Sequence, residues 1–293
     1  MKSAPIALAA LMLSVAPAAM AAPAPKTPAA PQYPAADWRT PDADNILVID
    51  TSRGRVIVEL APWAAPASVE RVRMLVKQGF YDGLTFFRVV DAFMAQTGDP
   101  KNDGTGGAES LPDLRDEFQF RRGRELPFMS LGRVAPDNAV PFVTETGFIN
   151  GFAVRGAPQM QMMAAADGKV SGWGQFCAGV LGMAKATAPD TANSQFFLMR
   201  QTFPSLDANY SVFGRVLSGL EAVRSIKVGE PVPAPRDVMT RVRVLSDIPD
   251  AERPSIQVLN TASPSFKAIL DDARASGLGA GSACDIAVPV RIG

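Results

Sequence analysis

Two apolar runs, Ile46–Asp50 and Arg55–Leu60, are rich in β-branched residues and flank Thr-Ser-Arg-Gly, a hairpin signal. Arg55-Val-Ile-Val-Glu alternates only in part, as a barrel strand with a buried face does. Pro66 then opens a helix at a position where its missing N–H costs little. Val69, Val72, Leu75 and Val76 recur on one helical face, and Gly79 ends the helix. The element reads as a plug at one mouth of a barrel.

The stretch Thr85–Asp99 holds two short β-rich runs, Thr85–Val90 and Phe93–Thr97, around a turn at Asp91-Ala92. Residues two apart share a face of a strand. Phe86, Arg88 and Val90 therefore point one way and Phe87 and Val89 the other, and Met94 shares a face with Gln96. One arginine among aromatics, followed by Phe-Met-x-Gln, reads either as a half-buried hairpin with Arg88 and Gln96 in water, or as a site. Gly179–Ala184, Gln195–Met199, Tyr210–Val216 and Met239–Leu245 read as later strands, and Gly219–Lys227 as a second short helix. Between Phe118 and Phe176 the pattern breaks into an arginine cluster, Pro-punctuated turns and a Met-rich stretch, Pro158–Ala166, that reads as a short helix. From Ser246 an extension follows with a weak strand (Ile256–Leu259), a helix (Pro264–Ser276) and a strand-like run (Ile286–Ile292).

Composition narrows the chemistry. The 293-residue chain has 29 Lys+Arg against 29 Asp+Glu, so no net field recruits nucleic acid or an anionic membrane. It has no histidine, which removes Ser-His and Cys-His catalysis and His-based metal sites together. Its two cysteines cannot build a Cys-rich zinc site. Asn102–Gly107 is glycine-rich, but no lysine follows it, and a tight loop explains it better than a phosphate cradle. Met1–Ala21 reads as a signal peptide: Lys2 is the positive start, Ile6–Val15 the apolar segment, and Ala19-Met20-Ala21 the small-x-small cleavage site. Residues 22–44, rich in Pro and Ala, read as an extended linker without packing of its own. The apolar run is too short to span a bilayer, so no stable membrane insertion is expected once the signal is removed.

Five motifs then appear in order: Phe86–Val90, Phe93–Asp99, Gly104–Gly107, Ser194–Phe197 and Val212–Val216. Together they resemble the cyclophilin-type peptidyl-prolyl cis-trans isomerases, with their Phe-His-Arg-Val-Ile, Phe-Met-x-Gln-Gly-Gly-Asp, Gly-Thr-Gly-Gly, Ser-Gln-Phe-Phe and Val-Phe-Gly-(Lys/Arg)-Val runs. The resemblance implies an all-β fold with two capping helices: a closed, antiparallel, eight-stranded barrel over residues 45–246. That barrel carries an insertion at about 119–176, and residues 247–293 form a C-terminal extension on which the resemblance is silent. It implies proline-containing polypeptide clients, no cofactor and, with the signal peptide, a periplasmic location. Arg88 becomes the guanidinium donor and Gln96 its orienting partner. Phe93, Met94, Phe197 and Leu206 become the proline pocket, Gln195 the groove lining and Tyr210 its edge. The backbone near Ala184 and Lys185 would pair with the peptide. The chain departs from the family at Phe87, where histidine is common, and at Ser205, where an aromatic residue usually closes the pocket; Phe203 stands nearby as a substitute.

Two functional readings follow: an exported prolyl isomerase, or a non-catalytic peptide-binding module or chaperone on the same fold. A carrier barrel for a small apolar ligand is weaker, because no large-cavity pattern repeats. The insertion reads either as a solvated segment on the barrel wall or as a rim that selects substrates. Export would place Cys177 and Cys284 in an oxidising compartment, where they pair; the alternative is that Cys177 is a small buried core residue.

Overall fold

The computed structural model describes residues 32–136, 140–278 and 282–293. The signal peptide and the linker up to residue 31 lie outside the described residues. Along the chain come β1 (Trp38–Arg39), β2 (Ile46–Thr51), β3 (Gly54–Leu60), α1 (Pro66–Lys77), β4 (Arg88–Val90) and β5 (Met94–Thr97). Next are β6 (Phe120–Arg122), β7 (Met129–Val134), β8 (Thr144–Ile149), β9 (Phe152–Gly156) and β10 (Val170–Gly174). The chain then returns through β11 (Val180–Met183), β12 (Phe196–Met199), β13 (Val212–Ser218), α2 (Leu220–Arg224) and β14 (Met239–Val244). It ends with β15 (Ile256–Leu259), α3 (Pro264–Ala275) and β16 (Val290–Ile292).

Eight strands form one curled sheet in the order β14-β2-β3-β13-β11-β12-β5-β4. Every pairing in it is antiparallel. The expected fully paired closure is not made, because the ladder stops at β14 and β4. Among the described residues, the seam beyond them is carried by one isolated bridge, Thr85–Val238, with the Gly83–Met239 and Phe86–Asp237 backbone bonds beside it. β4 instead takes Gly229 as its outer neighbour.

The partial alternation of β2 and β3 has a packing cause. Leu47, Ile49, Val56 and Val58 face the main core with α1, while Ile46, Val48 and Ile57 are buried by Leu245 just after β14 and by Ile248 and Ile256 of the extension. A strand covered on both faces loses the polar half of its pattern. α1 buries Val69, Val72, Leu75 and Val76, as its periodicity predicts, but its cap comes from far away. Ala65 offers no capping side chain, so the Glu117 carboxylate accepts the N–H groups of Ala67 and Ser68 at 2.9 Å each.

Three expected elements differ. α2 is a single turn rather than Gly219–Lys227, because the Lys227 N–H leaves the helix to donate to Asp237 at 2.8 Å. The Met-rich stretch forms only a 3₁₀ segment, Gln159–Ala164. The linker reading does not extend past the start of the described chain. Tyr33 and Trp38 pack on the cluster around Phe266 and Leu270, β1 pairs with β15, and Arg39 binds Glu59 at 2.6 Å. Pro-rich composition was the basis of that reading, and it does not register two anchoring aromatics.

Residues 120–174 form a second, five-stranded sheet in the order β6-β10-β9-β8-β7. The extension adds the three-stranded sheet β1-β15-β16 and lays α3 against the second sheet, with Phe266 edge-on to Phe148 at 5.1 Å. Ser263 caps α3 by accepting from the Phe266 N–H. A Cys177–Cys284 disulfide ties the extension to the segment entering β11, across 107 residues.

Candidate active site

The β4–β5 hairpin places the charged pair by register. Arg88 lies opposite Gln96, so the two side chains leave the same face of the sheet. Arg88 Nη1 donates to Gln96 Oε1 at 3.2 Å, and Gln96 Nε2 donates onward to Gln195 Oε1 at 2.8 Å. Gln195 Nε2 donates to the carbonyls of Gly104 and Gly106 at 3.0 and 2.8 Å. These bonds fix the orientation of each amide in turn. The glycine loop is held from below by Asp99, whose carboxylate accepts from the backbone of Lys101, Asp103 and Gly104. A Cβ at Gly106 would run into that carboxylate, so the loop requires glycine there. Asn102–Gly107 is thus a groove wall organised by a buried acid.

Beside this chain of bonds lies a cavity of about 170 Å³ lined by Arg88, Phe93, Met94, Gln96, Ala184, Lys185, Phe197, Leu206 and Tyr210. It brings together every site residue expected from sequence except Gln195. Gln195 lines an adjoining depression of about 610 Å³ that shares Gln96, Ala184 and Lys185 with the first. The floor is aromatic: Phe197 meets Tyr210 edge-on at 5.7 Å and stacks on Phe176 at 5.8 Å. Gly182 opposes Phe197 across β11 and β12, and a Cβ there would lie 2.7 Å from Phe176 Cε1, so only glycine lets both rings descend. Lys185 Nζ sits 5.6 Å from the Tyr210 ring centre and 5.5 Å from that of Phe118, a cation held at the rim by two aromatic faces.

The Ala184 N–H donates to the Gln195 carbonyl at 2.9 Å. Phe203 does not replace the aromatic expected near Ser205. Its ring packs on Phe93 at 4.5 Å but is not among the residues that line the cavity, and Ser205 is exposed. Phe87 is buried on the opposite face from Arg88, so its side chain takes no part in the groove.

The sequence profile of the cyclophilin type peptidyl-prolyl cis-trans isomerases matches residues 46–245. The chain belongs to this family. It is 32% identical over 199 residues to a probable peptidyl-prolyl cis-trans isomerase of Brucella suis, a match covering 64% of this chain and 74% of the relative. It is 32% identical to peptidyl-prolyl cis-trans isomerase B of Bacillus subtilis over 65% of this chain and 90% of that protein. Among solved structures, the cyclophilin AquaCyp293 from Hirschia baltica matches with a TM-score of 0.76 at 32% identity, covering 87% of this chain and 93% of that one. That coverage exceeds what residues 46–245 can supply, so the likeness reaches into the layers outside the family's core. The activity of this cyclophilin is therefore peptidyl-prolyl cis-trans isomerisation.

Three residues next to the cavity lining had no part in the sequence expectation. Glu230 accepts from Arg88 Nε at 2.6 Å. Phe176 supports Phe197 from beneath. Asp207, next to pocket residue Leu206, accepts the Phe176 N–H at 2.8 Å; burial pushes its carboxyl up to about 7, opposed by that N–H, by Arg155 and by Gln175. Asp207 follows the expected pocket residue Leu206 directly in the sequence, and that position is its only signal. Glu230 and Phe176 lie outside the recurrent motifs and left no signal. Among the described residues no cluster of His, Cys, Asp or Glu could hold a metal ion, and no helix is long and apolar enough to cross a membrane.

Proposed function

We propose that this cyclophilin accelerates Xaa-Pro rotation in exported polypeptides, with Arg88 as the donor that stabilises the twisted amide. An Xaa-Pro amide resists rotation by roughly 18–20 kcal/mol and turns over in tens to hundreds of seconds. Bringing that to about a millisecond requires ~10⁴–10⁵-fold, roughly 5.5–7 kcal/mol. No covalent step or proton transfer is needed; the site has to bind the twisted amide better than either planar isomer. Twisting pyramidalises the proline nitrogen, and a guanidinium donor stabilises the lone pair that appears. The single observation that carries the reading is the oriented chain Arg88–Gln96–Gln195 beside an apolar cavity lined by Phe93, Met94, Phe197 and Leu206. The proline ring enters that cavity, Gln96 holds Arg88 in register, and Tyr210 bounds the far edge. Gln195 and the Ala184–Lys185 edge receive the preceding peptide.

Export is supported by Lys2, the apolar Ile6–Val15 and the Ala19-Met20-Ala21 cleavage pattern, and points to clients folding in the periplasm. The seam at Thr85–Val238 is read here as the closure of an eight-stranded barrel, made by a few backbone bonds in place of a ladder. Slow amide exchange at Phe86 and Met239 is the expected sign of it. A second reading, a non-catalytic peptide-binding module, is favoured by Ser205, which leaves the pocket without a closing aromatic. A protease-free isomerisation assay on a Xaa-Pro peptide separates the two: catalysed exchange supports the enzyme, whereas peptide binding without exchange supports the module.

A further inference from the structure

Arg88 has three nitrogens, and two are engaged in the free protein. Nη1 donates to Gln96, and Nε donates to Glu230 Oε1 at 2.6 Å, the shorter of the two bonds. Among the described residues, Nη2 has no hydrogen-bond partner. Glu230 is brought there by the backbone, not by its side chain. Val89 and Gly229 exchange N–H···O bonds of 2.8 and 2.9 Å, and the Val232 N–H donates to the Phe87 carbonyl at 2.8 Å. Residues 229–232 therefore run as an outer neighbour to β4, with Glu230 alongside Arg88. The pair is part-exposed, with Arg88 at 38% and Glu230 at 56% of full side-chain exposure, so it adds little to stability. A guanidinium held at one point rotates about its remaining bonds; one held at Nε and Nη1 has a fixed plane.

We propose that Glu230 is a positioning residue: it fixes the plane of the Arg88 guanidinium so that Nη2 is presented to the proline nitrogen as the amide twists. The proposal rests on the assignment of Arg88 as donor. Misplacing such a donor lowers the rate of the twisted state more than it weakens binding of planar substrate.

The test measures kcat and KM separately for a Xaa-Pro peptide, by exchange spectroscopy without a coupling protease. The proteins are wild type, Glu230→Ala, Glu230→Gln, Arg88→Ala and the Arg88→Ala/Glu230→Ala double variant. Glu230→Ala is expected to lower kcat ~3–10-fold, with KM within about twofold and an unchanged thermal midpoint. Glu230→Gln keeps an acceptor for Nε and is expected to recover most of the loss. The double variant should be no slower than Arg88→Ala alone, because Glu230 acts only through Arg88. Wild-type kcat in Glu230→Ala, a loss confined to KM, Glu230→Gln as slow as Glu230→Ala, or an additive double variant would each overturn the proposal. Wild-type activity in Arg88→Ala would instead overturn the assignment of Arg88 itself, and the proposal with it.

Discussion

The eight-stranded sheet and the layer built on it from residues 120–174 are both antiparallel β, yet the second carries more polar groups among its buried apolar side chains. The first is filled by apolar side chains, with Leu47, Val58, Val72, Leu75, Phe196 and Phe213 all at 1% exposure or less. The second buries Arg122, Thr144, Thr146, Arg155 and Gln175. Thr146 Oγ1 donates to Gln175 Oε1 at 2.8 Å, Arg155 Nε donates to Thr144 at 2.8 Å, and Ala283 of the extension donates its N–H to the same Gln175 oxygen. Arg122 lies 4.1 Å over the Phe128 ring, and among the described residues its Nε and Nη1 have no hydrogen-bond partners. Polar interiors of this kind return little net stability unless every group is satisfied. The second layer compensates with apolar surface lent by the extension, chiefly Phe266 and Leu270, and with the Cys177–Cys284 bond. The main sheet holds the groove; the second layer is held onto it.

The largest expected effect tests that dependence. Cys284→Ser should destabilise the extension and second layer by up to ~4.7 kcal/mol, the chain-entropy ceiling for a closed loop of about 100 residues. Denaturant unfolding should then lose its single transition, while isomerisation in native buffer stays within about twofold. Unchanged unfolding would mean that side-chain packing alone retains the layer. Next in size, Gly182→Ala forces a Cβ between Phe176 and Phe197 and should cost ~1–3 kcal/mol by overpacking. Since Phe197 lines the pocket, kcat/KM should fall with it; a stable variant of full activity would show that the rings have room to retreat.

Arg88→Lys keeps the charge but loses the planar fork, and should lower kcat/KM about tenfold or more, some 1.4 kcal/mol, without shifting the thermal midpoint. Full activity in a folded protein would remove Arg88 from the chemistry. A pH-dependent effect lies at the junction of the two regions. Asp207 has its carboxyl raised from 3.8 to about 7, so the fold favours the protonated form. The stability this gives is complete below about pH 4 and is lost as pH rises through about 7, by at most ~1.4 kcal/mol per pH unit. The observed slope should be shallower, because the carboxyl is only partly buried. Asp207→Asn should flatten this stretch of the stability–pH curve, and an unaltered curve would place the titration elsewhere.

Much of the main sheet was legible because its information is local. The α1 face, the β2–β3 hairpin and the Arg88–Gln96 facing follow from periodicities of a few residues and from hairpin register. The pocket residues were legible through motifs that each lie within one strand or turn. In the second layer, arginines and threonines stand where apolar residues would mark a buried face, so no strand pattern showed and the only element expected there was a helix. The tertiary structure alone decided which distant segments meet. Glu230 reaches Arg88 across 142 residues, Glu117 caps α1 from about 50 residues away, and the extension buries the outer face of β2 and β3. It also decided that β4 turns toward Gly229 instead of completing a ladder with β14. None of these contacts leaves a mark in its own neighbourhood of the chain. Each is selected by the burial and hydrogen bonding available once the whole fold has formed.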